Sequence, residues 1–342
     1  RKENFDEYVP RNPRFTKALA DIPWYTVREQ LAYPAVIRRH RPDLMHFLHF
    51  NVPFAYRRPY VVTVHDLILL KHPTSRATTL GPMLYRLKYA AYRRVIGRAL
   101  KDAVGVITVS RFVEKEIREN FPFMKNREIT VTYEACPTKS GEVGKWGSGD
   151  ISESLTHSPY ALYVGSAYPH KNLERLLKAF AGFRSRGFEK YQLALVLGDD
   201  HFSRRLQTEA KRDGLDRGVV FLKSVSDDEL AALYATASFF VFPSLSEGFG
   251  LPPLEAMCAG VPVASSNASC MPEILGDSAR FFAPEDTADM ARAMTDLASS
   301  TELRAELIKK GSNRTDRYDW DECARQTLAS YHGSGTSVPH TR

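Results

Sequence analysis

The sequence predicts an α/β protein built as two doubly wound, Rossmann-like lobes that face a central cleft. Three observations lead there. The chain has 342 residues, and a domain takes about 150. Short β-branched and aromatic runs alternate with amphipathic helical stretches from one end to the other, the pattern of parallel sheets covered by helices. Between the halves lies a stretch, 137–158, that is rich in Gly and Ser and has no apolar periodicity, so it reads as a linker or long loop.

In order along the chain, the first half offers strands at Leu44–Phe50, Tyr60–Val64, Val104–Val109 and Glu128–Tyr133. Helical patterns fall between them at Val27–His40 (bent at Pro34), Met83–Lys101 and Arg111–Asn120. The second half offers strands at Ala161–Val164, Gln192–Leu197, Val219–Leu222, Phe239–Phe242 and Val261–Ala264. Helices follow at Asn172–Arg186, Phe202–Arg212, Asp227–Ala237 and Pro253–Ala259, then a helical run from Thr287. The organisation expected is a first, acceptor-side lobe over 1–136, the linker over 137–158, and a second, donor-side lobe over 159–320. A C-terminal helix and tail occupy 321–342, the helix being a candidate to pack back on the first lobe. Ligand belongs at the carboxyl ends of the strands, as in open α/β sheets generally.

Composition excludes several classes. Hydrophobic residues at 43% and charged residues at 25% are ordinary for a globular protein, so disorder, collagen and coiled coil are not the main class. No apolar run approaches the roughly 20 residues that span a bilayer; the strongest, Ser238 to Phe242, is strand-sized. Cys136, Cys258, Cys270 and Cys323 are scattered without CxxC spacing, which argues against a zinc ribbon or a disulfide framework and for a reducing, cytoplasmic compartment. Charge is asymmetric: residues 1–140 carry 25 Lys+Arg against 13 Asp+Glu, whereas 141–342 carry 22 against 27. The first half should therefore attract something anionic.

Three motifs carry chemistry. Glu247-Gly-Phe-Gly-Leu-Pro-Pro-Leu-Glu255 follows the strand Phe239–Phe242 and sets two carboxylates around a glycine turn and a helix start. Glycine lets backbone approach a ligand closely, and a helix N-terminus suits a diphosphate. Carboxylates beside such an anion make sense as partners of sugar and ribose hydroxyls; otherwise they are solvated residues on a capped helix. Tyr163-Val-Gly-Ser-Ala-Tyr-Pro-His-Lys-Asn172 ends a strand at Gly165 and places Lys171 before a helix, where it can neutralise a phosphate or simply sit on the surface. Val62-Thr-Val-His-Asp66 puts His65 at the carboxyl end of an apolar strand, either as a catalytic group or as a hydrogen-bonded core histidine.

In this order and separation the motifs resemble the family-4 retaining glycosyltransferases (glycosyltransferase group 1, GT-B fold). The likeness covers nearly the whole chain and includes Ile107-Thr-Val-Ser-Arg-Phe112, Ala256-Met-Cys-Ala-Gly-Val-Pro262, Pro272-Glu-Ile-Leu-Gly-Asp277 and Tyr318-Asp-Trp-Asp321. It implies a hexosyltransferase, mannosyl transfer being one candidate, that uses a nucleotide-diphosphate sugar and a hydroxyl acceptor in polysaccharide or lipid-linked glycan assembly. By the same resemblance His65 and Glu247 are catalytic, at the transferred sugar. Gly165, Ser166, His170, Lys171, Gly248, Phe249, Gly250, Leu251 and Glu255 bind the donor, with Lys171 on the diphosphate and Glu255 on the ribose. No metal or other cofactor is implied; Asp199 and Asp200 read as a helix cap. Two departures stand out. Where many relatives carry an arginine after the glycine of the second motif, this chain has Ser166, so charge stabilisation falls to Lys171 and His170. Relatives open with a strand and glycine-rich loop; nothing similar precedes Phe15, so the first βα unit is expected to be missing and the activity of this stretch of chain is left open.

The helix Met83–Lys101 is expected to set Leu84, Leu87, Ala91, Val95 and Ala99 on the core and to turn Arg86, Arg93, Arg94, Arg98 and Lys101 outward. Those arginines form a candidate approach to an anionic membrane carrying the acceptor, which makes the protein cytoplasmic and peripheral on the inner face; the alternative is a solvated helix. Nucleic acid is disfavoured, since no aromatic platform or binding module accompanies the charge. Two competing functions remain at this level: a non-catalytic nucleotide-sugar-binding partner subunit, and a nucleotide-sugar epimerase on the same architecture.

Overall fold

A computed structural model describes residues 2–7, 9–24, 26–71, 82–136, 155 and 158–333. Most of the linker, 137–154 with 156 and 157, lies outside the described residues, as does the tail from 334. The apolar runs assemble into two all-parallel sheets. The first joins β1 (Met45–Phe47), β2 (Tyr60–Val64), β3 (Gly105–Thr108) and β4 (Thr130–Val131) in chain order. The second contains β5 (Tyr160–Gly165), β6 (Gln192–Leu197), β7 (Val219–Lys223), β8 (Phe239–Phe242), β9 (Val263–Ser266) and β10 (Ala279–Phe282), ordered β10-β9-β8-β5-β6-β7. β2 and β8 are buried along their whole length, because helices cover both faces of each sheet. The chain leaves β5 toward one edge and returns to its other side at β8. That reversal opens a crevice between the loops after β5 and β8, the place where open α/β sheets bind ligands.

Helices α1 (Val27–His40), α2 (Ile68–Lys71), α3 (Pro82–Asp102) and α4 (Arg111–Asn120) connect the first sheet. In the second lobe come α5 (Leu173–Arg184), α6 (His201–Arg212), α7 (Asp227–Thr236), α8 (Leu251–Cys258) and α9 (Met271–Leu275). They are followed by α10 (Thr287–Ser299), α11 (Thr301–Thr315) and α12 (Trp320–Gly333). Local chemistry sets several starts. Asp200 and Ser226 each form a capping box, on α6 and α7, in which side chain and backbone satisfy one another's free N–H groups. α12 lies on the first lobe, against β3 and β4, and its Tyr331 hydroxyl stands 2.6 Å from His46 Nδ1.

The structure corrects three expectations. Only the last turns of α3 lie over the sheet, and the face they bury is Ile96, Ala99 and Leu100. Leu87 is 68% exposed and Ala91 is also outside, so the assumed stripe holds only at its end, at half-buried Val95 and buried Ala99; the Leu84 side chain lies outside the described residues. Arg98 is not a free outward cation. It pairs with Asp102 at 3.0 Å, donates to the Phe54 carbonyl and stacks over the Phe54 ring, pinning the loop after β1. Finally, Cys136 and Cys258 are joined by a disulfide. Their 122-residue separation leaves no spacing signal, but folding brings the end of the first lobe against the end of α8, with 6.9 Å between the two Cα atoms.

Candidate active site

The two lobes touch at the glycine loop. Gly248 packs so closely on the end of β2 that a Cβ there would lie 1.8 Å from the His65 carbonyl oxygen. The Ser110 hydroxyl, which caps α4 by accepting from Val113, donates across the cleft to the Gly248 carbonyl at 2.6 Å. Glu273 of α9 reaches over as well: its carboxylate accepts from the backbone N–H groups of Arg111 and Phe112 and from the Tyr133 hydroxyl. Phe249 is buried in the same contact, its ring 6.3 Å from Tyr133 and 5.6 Å from Tyr318. That ring packs between the lobes.

Within the crevice, Lys171 and Glu247 meet. Lys171 sits in a short 3-10 turn, Pro169–Lys171, after β5; its Nζ donates to Glu247 Oε1 at 2.7 Å. The side chains are only 16% and 10% exposed. A buried charge is tolerated when paired, so each side chain holds the other in place in the crevice. The Glu247 backbone N–H donates to Ser269 Oγ at 3.0 Å, which fixes the loop. Gly165 ends β5 with φ +153°, and a Cβ there would strike the Tyr163 hydroxyl at 2.8 Å. That hydroxyl donates to the Ser166 carbonyl and shapes the loop from beneath. His170 stacks on Tyr168 with ring centroids 6.0 Å apart, and its carbonyl accepts from Leu245, tying the loops after β5 and β8 together.

Gly250 caps α8 in the left-handed region at φ +91°, which only glycine adopts readily. Proline occupies the next positions but one, Pro252 and Pro253, and has no N–H. Of the four amides that a helix start leaves without an acceptor inside the helix, only those of Gly250 and Leu251 therefore exist here. One turn on, Glu255 accepts from the Tyr234 hydroxyl at 3.1 Å. Burial pushes its carboxyl above the usual range, and burial together with Glu255 pushes the Tyr234 phenol well up.

His65 stands across the cleft at the end of β2, on the far side of the Gly248 contact. Its Nδ1 lies 3.2 Å from Glu134 Oε1, and its Nε2 lies 2.9 Å from the Leu48 carbonyl. The hydrogen bond to Glu134 raises its pKa against the opposing effect of burial. The structure thus brings Gly165, Ser166, His170, Lys171, Glu247, Gly248, Gly250, Leu251, Glu255 and His65 to one cleft, while Arg86, Arg93 and Arg94 lie on the exposed part of α3. Sequence reasoning missed Ser269, Tyr234, Glu134 and Glu273. Among the described residues no group of three or more His, Cys, Asp or Glu side chains is arranged to hold a metal ion. None of their helices is long and apolar enough to cross a membrane.

Known proteins resemble this chain in sequence and in fold. Residues 1–139 match the model of the family described as Glycosyltransferase Family 4, and residues 150–314 that of Glycosyl transferases group 1. The O-antigen chain mannosyltransferase B of Escherichia coli is 29% identical over 304 residues, 86% of this chain and 75% of that protein. The O-antigen chain mannosyltransferase RfbU of Salmonella typhimurium is 27% identical over 313 residues, 92% of this chain and 80% of its own. Among solved structures, sucrose-phosphate synthase from Thermosynechococcus elongatus superposes with a TM-score of 0.69 at 21% identity, over 88% of this chain and 76% of that one. A glycosyltransferase from Rickettsia africae does so at 0.66 and 14%, over 94% and 85%. At these identities the structural likeness speaks for the fold.

Proposed function

Because the chain belongs to the family-4, group 1 glycosyltransferases of the GT-B fold, enzymes that move a sugar from a nucleotide-diphosphate donor to a hydroxyl acceptor, we propose that it transfers mannose with retention to a growing polysaccharide or lipid-linked glycan. The observation that carries this reading is the Lys171–Glu247 pair beside Gly248 and Gly250, in the crevice between β5 and β8. As the glycosidic bond to the donor phosphate breaks, negative charge grows on the diphosphate. Lys171 and the free N–H groups at the start of α8 face that charge in a largely dry site, where preorganised donors act most strongly. No metal is required in this scheme, and Glu255 takes the ribose hydroxyls. Glu247, once its lysine turns to the diphosphate, accepts from hydroxyls of the sugar.

Mannose is supported by the names of the relatives above, and retention by the engagement of Glu247. A carboxylate taken up by hydroxyls of the sugar does not serve as a free base, so the acceptor hydroxyl passes its proton to the departing phosphate oxygen on the same face. The exposed basic turns of α3, with Met83 86% exposed beside Arg86, support approach to an anionic membrane surface. The test incubates the protein with a panel of nucleotide sugars, with and without lipid extract and with a chelator, and measures nucleotide diphosphate release and the anomeric configuration of the product. Mannose transfer with retention, insensitive to chelator, is expected; release from another sugar alone, or an inverted product, overturns the corresponding part.

A further inference from the structure

Both ring nitrogens of His65 face groups that only accept hydrogen bonds, the Glu134 carboxylate at 3.2 Å and the Leu48 carbonyl at 2.9 Å. Each bond therefore needs an N–H, and an imidazole with two N–H groups is the cation. On the reading above that His65 faces the transferred sugar, we propose that Glu134 is a positioning residue for transfer: it fixes the His65 ring as a charged double donor whose Nε2–H passes from the Leu48 carbonyl to a hydroxyl of the bound donor sugar.

The surroundings single out this pair. Glu134 follows β4, with its side chain 16% exposed, while the His65 side chain is 43% exposed and keeps an open edge. Two more histidines stand near. His46 on β1 is engaged at both nitrogens, with Tyr331 and Thr63 hydroxyls, and His49 lies against the Phe50 ring. Burial and the charge on His65 push both of their pKa values down, whereas the bond to Glu134 pushes that of His65 up. The positive charge of this cluster is thereby confined to the ring at the cleft. Asp66, the neighbour in sequence, favours the charged form of His65, but its carboxylate accepts from the Ile68 N–H at the start of α2. From α12, Cys323 is close enough to Glu134 to feel its charge and titrates high, as a neutral thiol. Glu134 alone gives His65 a carboxylate hydrogen bond among the described residues.

The test uses the full chain with Glu134→Gln and Glu134→Asp, each checked for folding by thermal melting. Two quantities are read: the NMR titration of the His65 imidazole, and the pH profile of kcat for nucleotide diphosphate release. A group whose pKa is raised by a partner is charged below that pKa and loses its charge as pH climbs through it. Removing the carboxylate should therefore move the His65 midpoint down and carry the high-pH limb of kcat down with it. At neutral pH kcat should fall about ten- to a hundredfold, the worth of one hydrogen bond to a charged group, with KM for the donor little changed. Glu134→Asp, which keeps the charge, should recover part of both. An unmoved His65 midpoint, or a midpoint that moves without the limb of kcat, overturns the assignment. Equal losses in the two variants with no shift of the limb do so too, since they mark a purely structural role. If the unaltered chain releases nucleotide from no donor, the glycosyltransfer reading falls and this proposal falls with it. Release that persists alongside an unmoved midpoint overturns the proposal alone.

Discussion

Replacing Gly248 with alanine adds one methyl group where the lobes meet. Gly248 is not among the glycines with positive φ, so its backbone accepts alanine without strain. The obstacle is the other lobe: the new Cβ would stand 1.8 Å from the His65 carbonyl oxygen, 2.9 Å from its carbon and 3.3 Å from Asp66 Cβ. The two nearest are backbone atoms at the end of a buried strand, with no rotamer by which to yield. The lobes must part by more than an ångström before the contact becomes tolerable, and the Ser110 hydrogen bond to the Gly248 carbonyl weakens with it. A misplacement of about 1 Å costs about a hundredfold in rate when reacting groups sit on opposite sides. Gly248→Ala should thus lower kcat/KM for nucleotide release about a hundredfold, with donor affinity by calorimetry nearly kept, because Lys171 and Glu255 both belong to the second lobe. Solution scattering should show a more open particle, and thermal melting should change little, since neither core is touched. Turnover at the unaltered rate would refute the reasoning, as would lost donor affinity with no opening.

Four further outcomes can be checked. Lys171→Ala strands the Glu247 carboxylate, 10% exposed, without its counter-ion; breaking such a pair costs about 3–5 kcal/mol, so chemical denaturation should show that loss, and a second change, Glu247→Gln, should restore stability without restoring transfer. Glu247→Gln alone should depress transfer far more than nucleotide diphosphate binding and Glu255→Ala should do the reverse; equal losses of affinity by calorimetry would sink the division of roles. The Cys136–Cys258 bridge closes a 122-residue loop, worth about 5 kcal/mol in the chain-entropy account, so reductant should lower the melting temperature, and alkylation under denaturing conditions should label Cys270 and Cys323 before reduction and all four thiols after it. Reversing Arg86, Arg93 and Arg94 to Glu should reduce cosedimentation with anionic vesicles at low salt, where charges interact over more than about 10 Å, and leave donor binding unchanged; no cosedimentation of the unmutated chain at low salt ends the membrane reading.

What was legible in the sequence was local. Tyr60–Val64, Gln192–Leu197 and Phe239–Phe242 are continuous apolar runs between breakers, and they are strands over those same residues. The loop from Glu247 to Glu255 announces itself through its glycines, prolines and carboxylates. β10 escaped because Ala279–Phe282 is four residues with an arginine inside; pairing with β9 makes it a strand. The partners that complete the site escaped for a related reason. Glu134 is 69 residues from His65, Ser269 is 22 from Glu247, and Tyr234 is 21 from Glu255. Their juxtaposition is a product of topology, and no periodicity encodes it. A helical stripe does not say how much of a helix the core covers, and in α3 only the last turns, at Ile96, Ala99 and Leu100, are buried.

The reach of Glu273 across the cleft has a consequence for measurement. The first N–H groups of a helix have no acceptor within it, and in α4 those of Arg111 and Phe112 find theirs on the opposite lobe. Whenever the halves separate, these amides meet water. Their deuterium uptake is therefore a built-in clock for opening, readable without label or substrate. Slowing of that uptake by a nucleotide diphosphate would report how strongly the ligand holds the enzyme shut.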